Sequence, residues 1–260
     1  MDLGLRGKTA IVCAASKGLG RAVALALARE GVALVINARG KEALAATAED
    51  IRAATGVPVQ AIAADITTES GRAAVLAAAP APDILINNAG GPPAGRFDTL
   101  TPAQWHAALE ANMLTPIALI QAVIAGMRAR RFGRIVNITS ASVKSPIASL
   151  GLSNGARAGL TGFVAGVARE VARDNVIINN LLPGPFLTDR LRENMRTAAE
   201  SAQRSVDEEI ALRAKANPTG RVGDPSEFGA ACAFLCSAHV GFIVGQNLLI
   251  DGGAFNATLG

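Results

Sequence analysis

Residues 9–20, TAIVCAASKGLG, run from an apolar stretch through Gly18 and Gly20 straight into the helix-patterned segment 21–30. A strand, a tight turn and a helix start in that order leave backbone N–H groups unpaired with the helix dipole behind them. Glycine also lets a pyrophosphate come close to the backbone. A dinucleotide fits such a turn, and so does plain use of glycine to turn the chain. After the second apolar run, Asn37-Ala38-Arg39-Gly40-Lys41 holds no carboxylate. In a dinucleotide site a carboxylate here serves the ribose 2′-hydroxyl of NAD, whereas a cation accommodates the 2′-phosphate of NADP. Arg39 can meet that phosphate with paired donors and Lys17 can add a second charge. Two solvated basic loop residues are the competing reading. Asp65 is placed either to accept from an adenine amine or, like Thr67, to cap a helix. Asn112 lies four residues before Pro116. Because proline lacks an N–H, the Asn112 carbonyl loses its helical partner, the helix bends, and the carbonyl is free to hold a water. The plainer alternative is a polar residue that tolerates a kink.

These residues need a scaffold. Strand-like runs near 9–13, 33–37, 59–63, 84–87, 134–138, 176–181 and 247–250 alternate with helix-patterned runs near 20–30, 41–55, 68–79, 102–130, 150–173 and 225–236. Continuously apolar strands such as 84–86 suit a sheet covered on both faces, and crossover helices require parallel strands. The reading is α/β: a single doubly wound domain over 1–260, about seven parallel strands, with its ligand at their carboxyl ends beside the first strand. Half of the 260 residues are hydrophobic and 18% are charged. That composition builds a large core, yet we expect no uninterrupted apolar run of about 20 residues to span a membrane. No export signal marks the N-terminus, so the cytoplasm is expected. Cys13, Cys232 and Cys236 show no metal-ligand spacing and read as small apolar residues. The net charge of +4 is scattered, with only Arg128, Arg130 and Arg131 clustered, which argues against nucleic acid. Trp105 and His106 read as packing and surface residues.

Ala14-xxx-Gly18-x-Gly20, Asn87-Asn88-Ala89-Gly90, Asn112, Ser140, Pro183-Gly184 with Thr188, and Asp251-Gly252-Gly253 together resemble the short-chain dehydrogenase/reductase family over essentially the whole chain. The resemblance implies a Rossmann fold and an NADP(H) site made by Ala14, Ser16, Lys17, Gly18, Leu19, Gly20, Arg39, Asp65, Ile66, Asn88, Ala89, Gly90, Arg157, Pro183, Gly184, the backbone near Phe186, and Thr188. For Thr188 a helix cap is the alternative. It also implies that Asn112 holds a water in a proton relay. One departure is Ala14, where the family usually has glycine.

The larger departure lies beyond the fifth strand. The family places a tyrosine thirteen residues after its serine and a lysine four beyond. Counting from Ser140 gives Ser153 and then Arg157, and the chain contains no tyrosine at all. A tyrosine begins near pKa ~10 and is lowered by a neighbouring lysine, so it can protonate a carbonyl oxygen as hydride arrives; serine is far less acidic. Arg157 keeps the positive charge but stays protonated and carries protons poorly. Ser140 and Ser153 can still orient or polarise a carbonyl. Lys144, four residues after Ser140, is a candidate replacement acid, with a solvated loop lysine as the alternative.

The stretch 189–220 is charged and helix-patterned with few bulky apolar residues, as in a mobile lid, with Leu191 and Met195 facing the substrate. The resemblance implies a homotetramer. The small-residue face of 159–171 suits a symmetry mate, and internal packing explains it equally. The function read from these features is an NADPH-dependent reductase of a small-molecule carbonyl, with 3-oxoacyl thioesters as a candidate class and an altered catalytic set: Ser140, Asn112, Ser153, Arg157 and Lys144. The alternatives are an NADP-binding sensor or scaffold without turnover, and an enzyme acting on a conjugated alkene or quinone that needs no strong acid.

Overall fold

Apolar runs flanked by turn residues become strands, buried on both sides except at the two edges of the sheet, and the helix-patterned segments between them bring each strand back parallel to the last. The computed structural model describes residues 1–258. Strands β1 (Thr9–Val12), β2 (Ala33–Ala38), β3 (Val59–Ala63), β4 (Ile84–Asn87), β5 (Gly133–Ile138), β6 (Val176–Pro183) and β7 (Asn247–Ile250) form one sheet. Its order is β3-β2-β1-β4-β5-β6-β7, with every pairing parallel. Strand order reverses between β1 and β4, which opens a crevice at their carboxyl ends.

Helices α1 (Gly18–Arg29), α2 (Lys41–Thr55) and α9 (Pro225–Cys236) cover one face, over Val12, Ile36, Ile86 and Val136. Helices α3 (Glu69–Ala78), α5 (Thr115–Ala129) and α6 (Gly151–Val171) cover the other, over Ile11, Leu85 and Ile135. All three cysteines are buried and free, as their reading as apolar residues requires, and burial pushes the Cys13 thiol up to about 12. The arginine cluster is a surface feature: Arg128 and Arg131 both pair with Asp174.

The expected bend before Pro116 takes a specific form. α4 (Pro102–Leu109) and α5 are joined by a π-helical turn, Glu110–Leu114, closed by the Thr115 N–H on the Glu110 carbonyl. Widening the turn by one residue accommodates the ring without breaking the helix. One expectation is corrected here, because Pro102–Ala129 is by length and composition apolar enough to cross a membrane. One side of it, with Leu119, Ile120, Val123 and Met127, packs in the core beneath the sheet.

Gly155 and Gly159 on α6 are explained by internal packing. A Cβ at Gly155 would lie 2.9 Å from Trp105, and one at Gly159 would lie 2.7 Å from the Met113 sulfur. Trp105 thus packs as expected, and exposed His106 belongs to the surface. At Gly162 and Gly166 a Cβ would meet nothing within 4 Å.

The segment expected to form one charged helical stretch divides into α7 (Asp189–Ser201) and α8 (Val206–Ala216). Gln203 at φ 52 makes the break, and the Ser205–Glu208 capping box starts the second helix.

Candidate active site

The turn after β1 begins at Ala14, whose φ of 49 is left-handed. Such a conformation costs an L-residue roughly 1–2 kcal/mol, which is the physical reason glycine suits the position. Ala14→Gly is therefore expected to raise the thermal midpoint by about 2 °C, part of the relieved strain being returned as unfolded-chain entropy. A calorimetric scan checks it.

Gly18 follows at φ 57, with Thr188 as the neighbour that a Cβ would touch at 3.6 Å. Gly20 is more constrained. A Cβ there would lie 2.2 Å from the Ala14 carbonyl oxygen and 2.9 Å from Asn88 Nδ2. Asn88 Nδ2 donates to that same carbonyl at 3.5 Å, which ties the β4 end to the turn. Ser16 is held through its carbonyl, which accepts from Thr47 Oγ1 at 3.0 Å, and Leu19 is half-buried in the turn. Lys17 is the extended residue capping α1 and is exposed, as is Arg39 just beyond β2. Among the described residues neither cation has an ion-pair partner, and no carboxylate follows β2 in the chain before Glu42. A helix start with its N–H groups open, glycines where a side chain cannot enter, and two cations at the rim fit a phosphorylated dinucleotide.

Asp65 is committed locally. Its Oδ1 accepts from the Thr67 N–H at 3.0 Å and the Thr67 hydroxyl at 2.7 Å. Those two bonds hold its carboxyl below the usual range, with the charge of Arg39 adding to them. The helix cap expected of Asp65 or Thr67 is instead Thr68, whose Oγ1 accepts from the Gly71 N–H at 3.0 Å. Ile66 is buried beneath this turn.

Across the crevice, the end of β4 supplies Asn88, Ala89 and exposed Gly90, and a Cβ at Gly90 would meet nothing within 4 Å. The end of β5 carries Ser140, whose Oγ accepts from the Ser142 N–H at 3.1 Å and fixes a 3₁₀ turn over Ala141–Val143. Lys144 ends that turn and is half-buried. On α6, Ser153 and Arg157 lie one turn apart on the buried face, each 7% exposed. Arg157 Nη1 donates to the Ile138 carbonyl at 2.7 Å, pinning α6 to the last residue of β5. Burial, with the Arg190 charge nearby, lowers its pKa to about 10, which keeps it a cation at neutral pH.

Arg157 lines a cavity of about 10 Å³ with Asn87, Asn88, Ala89, Asn112 and Pro116. Asn112 is 3% exposed, its Nδ2 donates to the Ala108 carbonyl at 3.2 Å, and its Oδ1 has no partner. The structure thus brings Asn88, Asn112 and Arg157 to one point, with Ser153 one turn away along α6.

β6 ends in Pro183, and Gly184 is glycine because of packing: a Cβ would lie 2.6 Å from the Asp251 Cβ. Phe186 puts its ring in the core, edge-on to Phe228 at 5.3 Å, which leaves only its backbone for the crevice. Thr188 takes the helix-cap role, its Oγ1 accepting from the Leu191 N–H at 3.3 Å to start α7. Leu191 is buried and Met195 half-buried on that helix.

Sequence reasoning passed over two residues. Arg190 Nη2 donates to the Pro92 carbonyl at 2.9 Å, linking α7 to the loop after β4. Asn87, which entered the sequence reading only as part of the Asn87-Asn88-Ala89-Gly90 run, is buried, and its Oδ1 also lacks a partner.

Residues 13–254 match the protein family described as Enoyl-(Acyl carrier protein) reductase. The chain is 35% identical over 259 residues to a 3-oxoacyl-[acyl-carrier-protein] reductase of Vibrio cholerae, covering 97% of this chain and 99% of that protein. It is 31% identical over 258 residues to the NADPH-dependent reductase BacG of Bacillus subtilis, covering 96% and 98%. Its structure superposes on the L-sorbose reductase of Gluconobacter frateurii, solved with NADPH and L-sorbose, at a TM-score of 0.93 and 29% identity, covering 99% of this chain and all of that one. With a family model matched over residues 13–254 and relatives at 31–35% identity along nearly the whole chain, the chain belongs to the short-chain dehydrogenase/reductase family of oxidoreductases.

Proposed function

We propose that this protein is an NADPH-dependent carbonyl reductase with an altered catalytic set, and that 3-oxoacyl thioesters are the first substrate class to test. The observation that carries the reading is the pair of exposed cations, Lys17 and Arg39, with no carboxylate in the chain directly after β2, at a glycine turn that admits no side chain at Gly20. NADPH, when bound, supplies the hydride for the carbonyl carbon. The chain's part is to hold the nucleotide and manage the developing charge. Gly18, Gly20 and the start of α1 would receive the pyrophosphate, Arg39 and Lys17 the 2′-phosphate, and Arg157 the ribose hydroxyls. Ser140 and Ser153 hydrogen-bond the substrate oxygen and stabilise it as it gains negative charge. Because a serine hydroxyl is too weak an acid to surrender its proton, Lys144 or solvent protonates the product oxygen.

Two relatives support the nucleotide part, one named for NADPH dependence and one solved with NADPH. The thioester class rests on the 35% identity to the Vibrio cholerae reductase. We further propose that α7 and α8 form the lid over the substrate, that the protein acts as a cytoplasmic homotetramer, and that 1–260 is one domain.

The test is NADPH oxidation followed at 340 nm with a panel of acetoacetyl thioesters, polyol-type ketones and conjugated enones. Turnover of a thioester or ketone supports the reading, with Ser140→Ala expected to lower kcat about 10–100-fold. Turnover of enones alone moves the function to alkene reduction, where the missing phenol matters less. Saturable NADPH binding without turnover anywhere supports the sensor.

A further inference from the structure

Four asparagines stand in register across neighbouring strands: Asn87 at the end of β4 pairs with Asn137 on β5, Asn137 with Asn180 on β6, and Asn180 with Asn247, the first residue of β7. In a parallel sheet, residues paired this way project to the same face, so their amides can bond sideways. They do so in one direction. Asn87 Nδ2 donates to Asn137 Oδ1 at 2.8 Å, Asn137 Nδ2 to Asn180 Oδ1 at 3.0 Å, and Asn180 Nδ2 to Asn247 Oδ1 at 2.8 Å. Asn87, Asn137 and Asn180 are each at most 2% exposed.

Aligned amides polarise one another, and this row leaves its oxygen end at Asn87. Asn87 Oδ1 is buried without a partner, and Asn87 lines the same small cavity as Arg157. Asn112 lines it too and contributes a second unpartnered buried oxygen. A buried cation ordinarily needs a countercharge, because desolvation is costly. Among the described residues no carboxylate lies within ion-pair distance of Arg157, and its named bond is to the Ile138 carbonyl.

We propose that the Asn87–Asn137–Asn180–Asn247 ladder is a positioning device for Arg157: its oxygen end, joined to Asn112 Oδ1 by one buried water, replaces the carboxylate that a buried cation would otherwise require. The valences match. A water has two protons for the two asparagine oxygens and a lone pair for a guanidinium N–H, and about 10 Å³ is room for one. The water's protons are then committed to two amides and its donor is an arginine that keeps its own. It fixes Arg157 and does not pass a proton, which separates it from a relay. Asn87 is thus a positioning residue, and the amide orientation it needs is set from the edge strand by Asn247. The functional consequence rests on the reading above that Arg157 meets the ribose of NADPH.

The experiment uses the full chain. NADPH affinity is measured by fluorescence between pH 7 and 11 for wild type, for Asn180→Leu, which interrupts the ladder, and for Asn247→Leu, which removes its half-buried end with little risk to folding. Both variants are expected to bind NADPH about 5–20-fold more weakly at pH 8. Without the countering oxygen the cation gives up its proton more easily, so the pH at which affinity falls away is expected to drop by about one unit, a tenfold change in proton affinity. In Arg157→Ala and Arg157→Lys backgrounds, the same ladder changes are expected to cost less than about twofold for alanine and an intermediate factor for lysine. Equal losses with and without Arg157, or an unmoved pH midpoint, would overturn the proposal and leave the ladder a sheet brace. A high-resolution crystal structure of the cofactor-free protein is the second arm, and it should show one water bonded to Asn87 Oδ1 and Asn112 Oδ1. A dry cavity, or the Asn87 amide reversed with Nδ2 toward Arg157, would also overturn it. If wild type binds no NADPH, the cofactor reading fails, while the crystal structure still decides the ladder and its water.

Discussion

Gly20→Ala is expected to cut NADPH affinity at least about 100-fold and to lower the thermal midpoint by about 2–12 °C. The added methyl would sit 2.2 Å from the Ala14 carbonyl oxygen and 2.9 Å from its carbon, both backbone atoms. A long side chain could swing away, but a carbonyl in a turn can move only if the turn moves. That carbonyl also accepts from Asn88 Nδ2, so the displacement reaches the β4 side of the crevice. Overpacking of this kind costs about 1–3 kcal/mol, which in a protein of this size corresponds to the stated fall in midpoint. The larger affinity loss follows because the displaced segment is the one whose N–H groups would face pyrophosphate. Gly162→Ala is the control. Its Cβ meets nothing within 4 Å and its backbone is helical, so alanine is expected to hold or raise the midpoint slightly. Binding by fluorescence and melting by calorimetry read both variants. A Gly20→Ala protein that bound NADPH like wild type would mean the turn is not the phosphate cradle.

The contrast between Gly20 and Gly162 also shows what the sequence can and cannot convey. Strands were legible because runs such as Ile84-Leu85-Ile86 have no exposed face to interrupt them, and the glycine turn because it joins a strand to a helix. Pro116 announced a bend through its missing N–H, but whether the helix breaks or widens depends on whether Thr115 can reach Glu110, and only packing decides that. The break at Gln203 was hidden because a left-handed glutamine carries no compositional mark, although the Ser205–Glu208 spacing just after it is a readable capping box. Thr188 and Asp65 each had two readings. Three-dimensional placement gave Thr188 the start of α7, and it gave Asp65 a local turn with Thr67 while passing the α3 cap to Thr68. The asparagine ladder was beyond reach for a different reason. Its members lie 50, 43 and 67 residues apart, and they meet only because four strands share one register. Absence was the most readable feature of all, since no alignment can supply a tyrosine to a chain that has none.

Arg39→Asp is expected to reverse cofactor choice, weakening NADPH by about 100-fold while strengthening NADH. Arg39 is exposed immediately after β2, the strand beside β1 and its glycine turn, which is where the proposed reading puts the 2′ position of the adenosine ribose. Charge-assisted hydrogen bonds from a guanidinium to phosphate contribute about 1.5–3 kcal/mol, and a carboxylate in the same place adds repulsion, so the combined loss reaches two decades in affinity. The same carboxylate accepts from the 2′- and 3′-hydroxyls of NADH, which accounts for the opposite sign with that cofactor. Lys17→Ala is expected to weaken NADPH by only about 3–10-fold, since a flexible ammonium at the exposed rim acts as a screened point charge. Raising salt from 50 to 500 mM should erode the NADPH preference of wild type more than any NADH affinity, because the extra contacts are ionic and solvent-facing. Titrations of both cofactors against the three proteins read all of this directly. Equal affinity of wild type for NADH and NADPH would remove Arg39 from cofactor recognition and leave it one more solvated cation on a surface that has many.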